Sequence, residues 1–182
     1  DFGKILVIGG SVGMVGAPAF VANAAFRSGA GLVRMAVPQC CQQSSAILAP
    51  GATSYPLACS DDGLILDSGE LNSVIKKLIQ ENDVIVIGPG LSRGPNSFLS
   101  LMQVILSVKD KPVIIDADGL NSLSRLKLAE QIPDKLGENF ILTPHLGEMV
   151  RLWQGWFRQD MPAGRLKVAE KLARTTGAIV LL

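Results

Sequence analysis

The chain has 182 residues, 48% of them apolar and 18% charged, with a mean hydropathy of +0.34. This excludes a disordered protein and leaves enough length for one globular domain, residues 1–182, with a real core. Lys and Arg number 17 against 16 Asp and Glu, a net charge of +1 with the basic residues scattered, so neither nucleic acid nor an anionic membrane is an expected partner. No apolar run approaches the roughly 18 residues of a membrane span and no leader-like segment precedes the first strand, so a cytoplasmic protein is expected. Cys40, Cys41 and Cys59 match no zinc-ligand spacing, and their odd number argues against a disulfide framework; they read as small buried hydrophobes.

The first element is a strand at Lys4 to Ile8, followed by the glycine-rich turn Gly9-Gly10-Ser11-Val12-Gly13-Met14-Val15-Gly16-Ala17-Pro18. Pro18 to Ser28 is an alanine-rich helix whose small residues allow close packing on a sheet, with Gly29 as its stop. Leu32 to Val37 is a second strand and Gln39 to Leu48 a weakly helical stretch. Residues 49–67, punctuated by Pro50, Gly51, Pro56 and Gly63, read as short edge-strand pieces. From a cap at Ser68, Leu71, Val74, Ile75, Leu78 and Ile79 recur at helical spacing. A buried strand at Val84 to Ile87 comes next, then a helix over Pro95 to Ser107, a strand at Pro112 to Ile115, a largely helical Leu120 to Ile132 and a strand at Phe140 to Leu142. Thr143 reads as an N-cap and Pro144 as the first residue of a helix reaching about Trp153, with a loop over Gly155 to Pro162. A helix over Ala163 to Thr176 leads to a last apolar strand from Ala178. Strands alternating with helices, each strand a short continuous apolar run, predict an α/β protein with a mostly parallel central sheet and helices on both faces.

Four strand-to-helix turns would then share one edge of the sheet, where strand ends and helix N-termini converge on ligands. Gly9 to Ala17 offers backbone N–H groups, but its spacing fits neither the dinucleotide fingerprint nor a P-loop, and a tight turn with close helix packing explains it equally. Gly88-Pro89-Gly90 is a stiff turn that admits close backbone approach. Asp116 and Asp118 suit magnesium, a water or a hydroxyl, or alternatively a helix cap. His145, the sole histidine, stands where a helix dipole disfavours a cation, so a neutral imidazole is expected to hydrogen-bond a ligand. Glu148 favours the same dipole. Trp153 and Trp156 read as packing.

Taken together, Gly9-Gly10-Ser11, Gly16-Ala17-Pro18, Gly29-Ala30-Gly31-Leu32-Val33, Gly88-Pro89-Gly90-Leu91, Asp116-Ala117-Asp118-Gly119-Leu120-Asn121 and Thr143-Pro144-His145-Leu146-Gly147-Glu148 resemble, in order and spacing, the nucleotide-dependent NAD(P)H-hydrate dehydratases. The resemblance implies a ribokinase-like fold and repair of the hydrated form of NADH or NADPH. ADP would drive the dehydration with release of AMP and phosphate, or ATP as in eukaryotic members, with Mg2+. It further implies that the hydrated nucleotide contacts Ala17, Gly90 and His145, that the segment to Arg151 through Glu148 lines the site, and that Gly10, Ser11, Gly16, Gly88, Asp116, Asp118 and Asn121 belong to the pocket. A homo-oligomer, a tetramer by resemblance, is expected.

Two positions depart from the family pattern: Met14 stands where tyrosine is frequent, and Ser92 where a glycine usually closes the Gly-Pro-Gly-Leu turn. The family's Lys-Gly turn and its glycine-rich segment ending in Gly-Asp, which supply the nucleotide anion hole and catalytic aspartate, have no counterpart before Leu182. By resemblance, then, the fold is incomplete at its C-terminal end and no catalytic residue is assigned. A small-molecule kinase of the same fold, acting on a thiazole or pyrimidine alcohol, and a non-catalytic nucleotide-binding fragment are the competing expectations.

Overall fold

The computed structural model describes residues 2–66, 69–92 and 98–182. The expected cap at Ser68 and the first residues of the helix expected from Pro95 lie outside the described residues. In chain order the elements are β1 (Lys4–Ile8), α1 (Gly16–Arg27), β2 (Leu32–Pro38), a 3-10 turn (Gln39–Cys41), α2 (Gln42–Leu48), β3 (Thr53–Leu57) and α3 (Gly69–Gln80). They continue as β4 (Val84–Ile87), α4 (Leu99–Leu106), β5 (Val113–Ile115), α5 (Ala117–Leu128), β6 (Phe140–Leu142), α6 (Leu146–Phe157), α7 (Arg165–Thr176) and β7 (Ile179–Val180).

The strands form one sheet in the order β3-β2-β1-β4-β5-β6-β7, every pairing parallel. Parallel neighbours need crossover helices, which explains why apolar strands and amphipathic helices alternate along the sequence. The order reverses between β1 and β4, so the chain leaves their carboxyl ends in opposite directions. That reversal is where open α/β sheets receive ligands.

Side-chain alternation along the strands divides the core in two. Leu6, Ile8, Ile85, Ile87, Val113, Ile115, Phe140 and Leu142 point to one face and pack with apolar residues of α3 to α7, among them Ile75, Ile105, Leu123, Trp153 and Leu172. Val7, Val33, Met35, Val37 and Val86 point to the other and meet Ala19 and Ala22 of α1. The second layer reaches only the β1–β2 side: towards the far edge Ile141 is half-buried and Ile179 is 50% exposed.

Two boundaries differ from those read in the sequence, and one of the expected edge-strand pieces is found. Residues 49–67 supply one true strand, β3, an edge strand on β2. The α5 helix begins at Ala117, three residues earlier than expected, and stops at Leu128. Gly155, read as the start of a loop, lies inside α6: a Cβ there would sit 3.2 Å from the Ser124 carbonyl oxygen, so glycine permits close α5–α6 packing. Trp153 is buried against Phe157 at 4.3 Å between ring centroids, and the Trp156 indole donates to the Asp134 carbonyl at 2.9 Å, so both are packing residues.

Ala22 is fully buried between α1 and the sheet whereas Ala24 on the same helix is exposed. Ala22→Leu is expected to cost about 1–3 kcal/mol by overpacking, measured by urea unfolding, and Ala24→Leu to change stability little.

Candidate functional site

The turn after β1 is fastened to the turn after β4 by backbone contacts. A Cβ at Gly9 would lie 2.3 Å from the Pro89 carbonyl oxygen, and the N–H of Gly10 donates to that oxygen at 2.9 Å. The Ser11 hydroxyl, buried, donates to the Gly90 carbonyl at 2.8 Å. Gly90, with φ +72°, faces Met14 and Ala17: a Cβ on it would stand 2.8 Å from the Met14 oxygen and 3.0 Å from the Ala17 Cβ. Gly10, Ser11, Ala17 and Gly90 are thus brought together, with Gly16 opening α1. The N–H groups of Gly9, Gly10, Met14 and Ala17 are given to the carbonyls of Ala36, Pro89, Ser11 and Met14, so much of the expected cradle of donors is spent inside the protein.

The next two turns approach more closely still. Gly88 has φ +123°, and a Cβ there would lie 1.8 Å from the Asp116 carbonyl oxygen and 2.7 Å from the Gly119 nitrogen. Between the two aspartates, Ala117 is held at φ +48°, a left-handed conformation that costs an L-residue roughly 1–2 kcal/mol. Ser92, at φ +68°, is in the same region, which accounts for a glycine being the usual residue there. The backbone N–H of Ser92 donates to Asp118 Oδ2 at 2.9 Å. Asp118 Oδ1 accepts from the Asn121 amide at 3.1 Å, and Asn121 Oδ1 accepts from Arg151 Nε at 2.6 Å. One chain of hydrogen bonds therefore runs from the β4 turn through α5 to α6.

Asp116 occupies the N-cap position of α5 without a side-chain cap bond; its Oδ1 accepts the Thr143 hydroxyl at 2.8 Å and so ties the β5 turn to the β6 turn. Asp116 thus holds a hydroxyl, one of the partners expected for it, and stands at the helix start. Among the described residues no group of three or more His, Cys, Asp and Glu side chains converges as a metal cage.

At the β6 turn the structure corrects the cap. Thr143 does not cap α6 and Pro144 is not its first residue: the helix starts at Leu146 and His145 is the N-cap. His145 Nδ1 accepts from the N–H groups of Gly147 at 3.0 Å and Glu148 at 3.4 Å, and Glu148 Oε2 accepts from the His145 N–H at 2.9 Å. This reciprocal pairing is a capping box, with an imidazole in place of the usual hydroxyl. Because Nδ1 accepts, the ring proton sits on Nε2, 3.1 Å from Glu148 Oε1. Both ring nitrogens of the imidazole are engaged internally. What it presents outward is ring surface, the side chain being 66% exposed while that of Glu148 is 7% exposed.

Each residue expected at the edge is found there: Gly10, Ser11, Gly16, Ala17, Gly88, Gly90, Asp116, Asp118, Asn121, His145 and Glu148 lie at or just beyond the ends of β1, β4, β5 and β6, with Arg151 one turn into α6. Sequence reasoning missed Thr143 as the partner of Asp116 and Ser92 as the partner of Asp118, since both bonds cross between strands. A cavity of about 250 Å³ lies off this row, lined by Leu99, Ser122, Arg125 and Leu126 between α4 and α5.

A wholly parallel sheet of this order, carrying its glycine and aspartate turns on one edge, defines an α/β protein whose fold is that of a ribokinase-like superfamily protein of Enterococcus faecalis, with a TM-score of 0.77 at 22% identity over 100% of this chain and 57% of that one. More narrowly, residues 5–182 match the family model described as NAD(P)H-hydrate dehydratase, and the chain belongs to that family. It is 36% identical over 184 residues to the bifunctional NAD(P)H-hydrate repair enzyme of Moorella thermoacetica, covering 100% of this chain and 33% of the relative. It is 34% identical to the ADP-dependent (S)-NAD(P)H-hydrate dehydratase of Cenarchaeum symbiosum, covering 99% of this chain and 58% of that protein. The ADP/ATP-dependent NAD(P)H-hydrate dehydratase of Bacillus subtilis, co-crystallised with ATP and Mg2+ and soaked with CoA, superposes with a TM-score of 0.69 at 26% identity, over 100% of this chain and 59% of that one. The chain thus spans between a third and three fifths of the length of these relatives. No helix among the described residues is long and apolar enough to cross a membrane.

Two substitutions at neighbouring turns should act in opposite directions. Gly88→Ala drives a Cβ into the Asp116 carbonyl and should lower stability by more than about 2 kcal/mol, whereas Ser92→Gly relieves a left-handed serine and should raise it by up to about 1 kcal/mol. Urea unfolding midpoints read both.

Proposed function

We propose that residues 1–182 form a single ribokinase-like domain portion that supplies the substrate side of a nucleotide-dependent (S)-NAD(P)H-hydrate dehydratase. The observation that carries this reading is the row of mutually fastened turns on the carboxyl edge, astride the reversal in strand order, in a chain that belongs to the dehydratase family. Ala17, Gly90, His145, Glu148 and Arg151 are assigned to the hydrated nicotinamide nucleotide, with Gly10, Ser11, Gly16, Gly88, Asp116, Asp118 and Asn121 shaping and holding that surface.

The geometry supports a division of work. Gly90 and Ala17 carry nothing beyond a Cβ, so a flat ring can lie against the backbone there. His145 offers ring surface held in place by the cap, a stacking partner for a heteroaromatic group. Arg151 is steadied through its Nε by Asn121, which leaves its terminal nitrogens as donors for the phosphates of the dinucleotide. The reaction places a phosphoryl group on the hydroxyl of the hydrated ring, converting a poor leaving group into a good one. Electron release from the ring nitrogen then expels phosphate, and loss of a proton from the adjacent ring carbon restores the reduced nicotinamide. The part of these residues is to hold the ring and keep its hydroxyl where a phosphoryl donor can reach it.

ADP or ATP is the proposed donor, with Mg2+ bound through the nucleotide's phosphates. Asp116 and Asp118 lie on this edge with Thr143, Ser92 and Asn121 on their oxygens, and a carboxylate keeps further lone pairs for a cation or its water. Self-association, as a tetramer, would cover the exposed apolar Phe20 and Ile47 on α1 and α2.

Calorimetry with hydrated NADPH tests the site. Asparagine is a good N-cap, so His145→Asn keeps the helix start and removes the imidazole. The variant should unfold at nearly the wild-type urea midpoint yet bind the hydrate more weakly by roughly 1–2 kcal/mol. Equal affinity would remove His145 from the site, and absence of binding to the folded wild-type chain would overturn the assignment.

A further inference from the structure

Beside the turns assigned to substrate, the structure gathers all three cysteines. Cys40 and Cys41 lie in the 3-10 turn after β2, and Cys59 follows β3, so the parallel β2–β3 pairing delivers them to the same end of the sheet. Cys59 Sγ is 3.5 Å from Cys40 Sγ, which is 3.7 Å from Cys41 Sγ. Only Cys41 is buried; Cys40 is exposed and Cys59 partly so, contrary to the expectation that all three are buried hydrophobes.

Cys59 also opens a small hairpin. The N–H of Ser60 donates to the Leu64 carbonyl and that of Leu66 to the Ala58 carbonyl, each at 2.9 Å, and Cys59 bridges antiparallel to Ile65. The tip of the hairpin rests on the turn after β1, where a Cβ on Gly63 would lie 2.2 Å from Val12 Cγ2.

We propose that Cys40 and Cys59 form a reversible disulfide on exposure to a hydroperoxide, fastening this hairpin to the end of β2. Bonded sulfurs stand about 2.05 Å apart, so the pair must close by about 1.5 Å, within reach of rotation at two accessible side chains. Cys40 and Cys41 are farther apart, adjacent in sequence and partly inaccessible, so their pairing would need a strained ring. Desolvation, then the contacts with the Cys59 and Cys41 sulfurs, push the Cys40 thiol up to about 12, so Cys40 suits the second step better than the first. Cys59 Sγ attacks the hydroxyl oxygen of the peroxide, the O–O bond breaks, and the leaving oxygen takes up the thiol proton to depart as the alcohol, or as water from hydrogen peroxide, leaving a sulfenic acid on Cys59. Cys40 Sγ then attacks the Cys59 sulfur, the S–O bond breaks, and hydroxide leaves with the Cys40 proton as water. Two electrons pass from the sulfur pair to the peroxide. A thiol reductant reverses the change by exchange.

The test treats the full chain with hydrogen peroxide and counts free thiols before and after. The count should fall from three to one and return on addition of dithiothreitol. Chymotryptic cleavage after Leu48 should leave the peptides bearing Cys40 and Cys59 joined until they are reduced. Cys41→Ser should still form the link, and Cys40→Ser and Cys59→Ser should not. Three thiols persisting after oxidation, a link surviving in Cys40→Ser, or a bond joining two chains would each overturn the proposal.

Discussion

The constraint on which the rest of the structure depends is backbone lying against backbone at the carboxyl ends of β1, β4 and β5. Gly9 rests on the Pro89 carbonyl, Gly88 on the Asp116 carbonyl, and Gly119 packs back onto the Ile87 oxygen and the Gly88 Cα. Adjacent parallel strands stand about 4.8 Å apart, so turns that leave them side by side have no room for intervening side chains. Glycine at these positions lets the turns interlock instead of splaying. The edge is thereby closed into one surface before any polar contact is made.

Polar side chains then link what glycine has brought near. Asp116 takes the Thr143 hydroxyl, Asp118 takes the Ser92 N–H and the Asn121 amide, and Asn121 takes Arg151. Two of the left-handed non-glycine residues, Ala117 and Ser92, flank this network. Backbone strain of this kind persists only where its surroundings over-determine it, and interlocked turns with a shared carboxylate do so. The aspartates act as braces of the edge.

The same economy governs the start of α6. His145 and Glu148 satisfy each other's backbone and the ring proton together, so one pair of side chains caps a helix, fixes a tautomer and holds an imidazole at the surface. A buried carboxylate in the first turn of a helix is favoured by the helix dipole, and here it also orients the ring beside it.

Much of this was legible in the sequence because it rests on local pattern. Apolar strands such as Val84 to Ile87 alternating with amphipathic helices such as α3 require crossovers and hence a parallel sheet, and the glycine and aspartate clusters mark where its turns must be. What the sequence could not decide are contacts between residues far apart in the chain. It read Thr143 as a cap because capping is a local rule, but the hydroxyl is taken by Asp116 across the sheet, and the histidine two residues on takes over the cap. It read a loop from Gly155 onward, but the close approach of α5 keeps α6 going to Phe157. It read three cysteines as separate buried residues, and only the pairing of β2 with β3 brings their sulfurs together. Local chemistry determined the elements and their order; tertiary contact decided which donor meets which acceptor, because strand pairing sets distances that spacing along the chain does not contain.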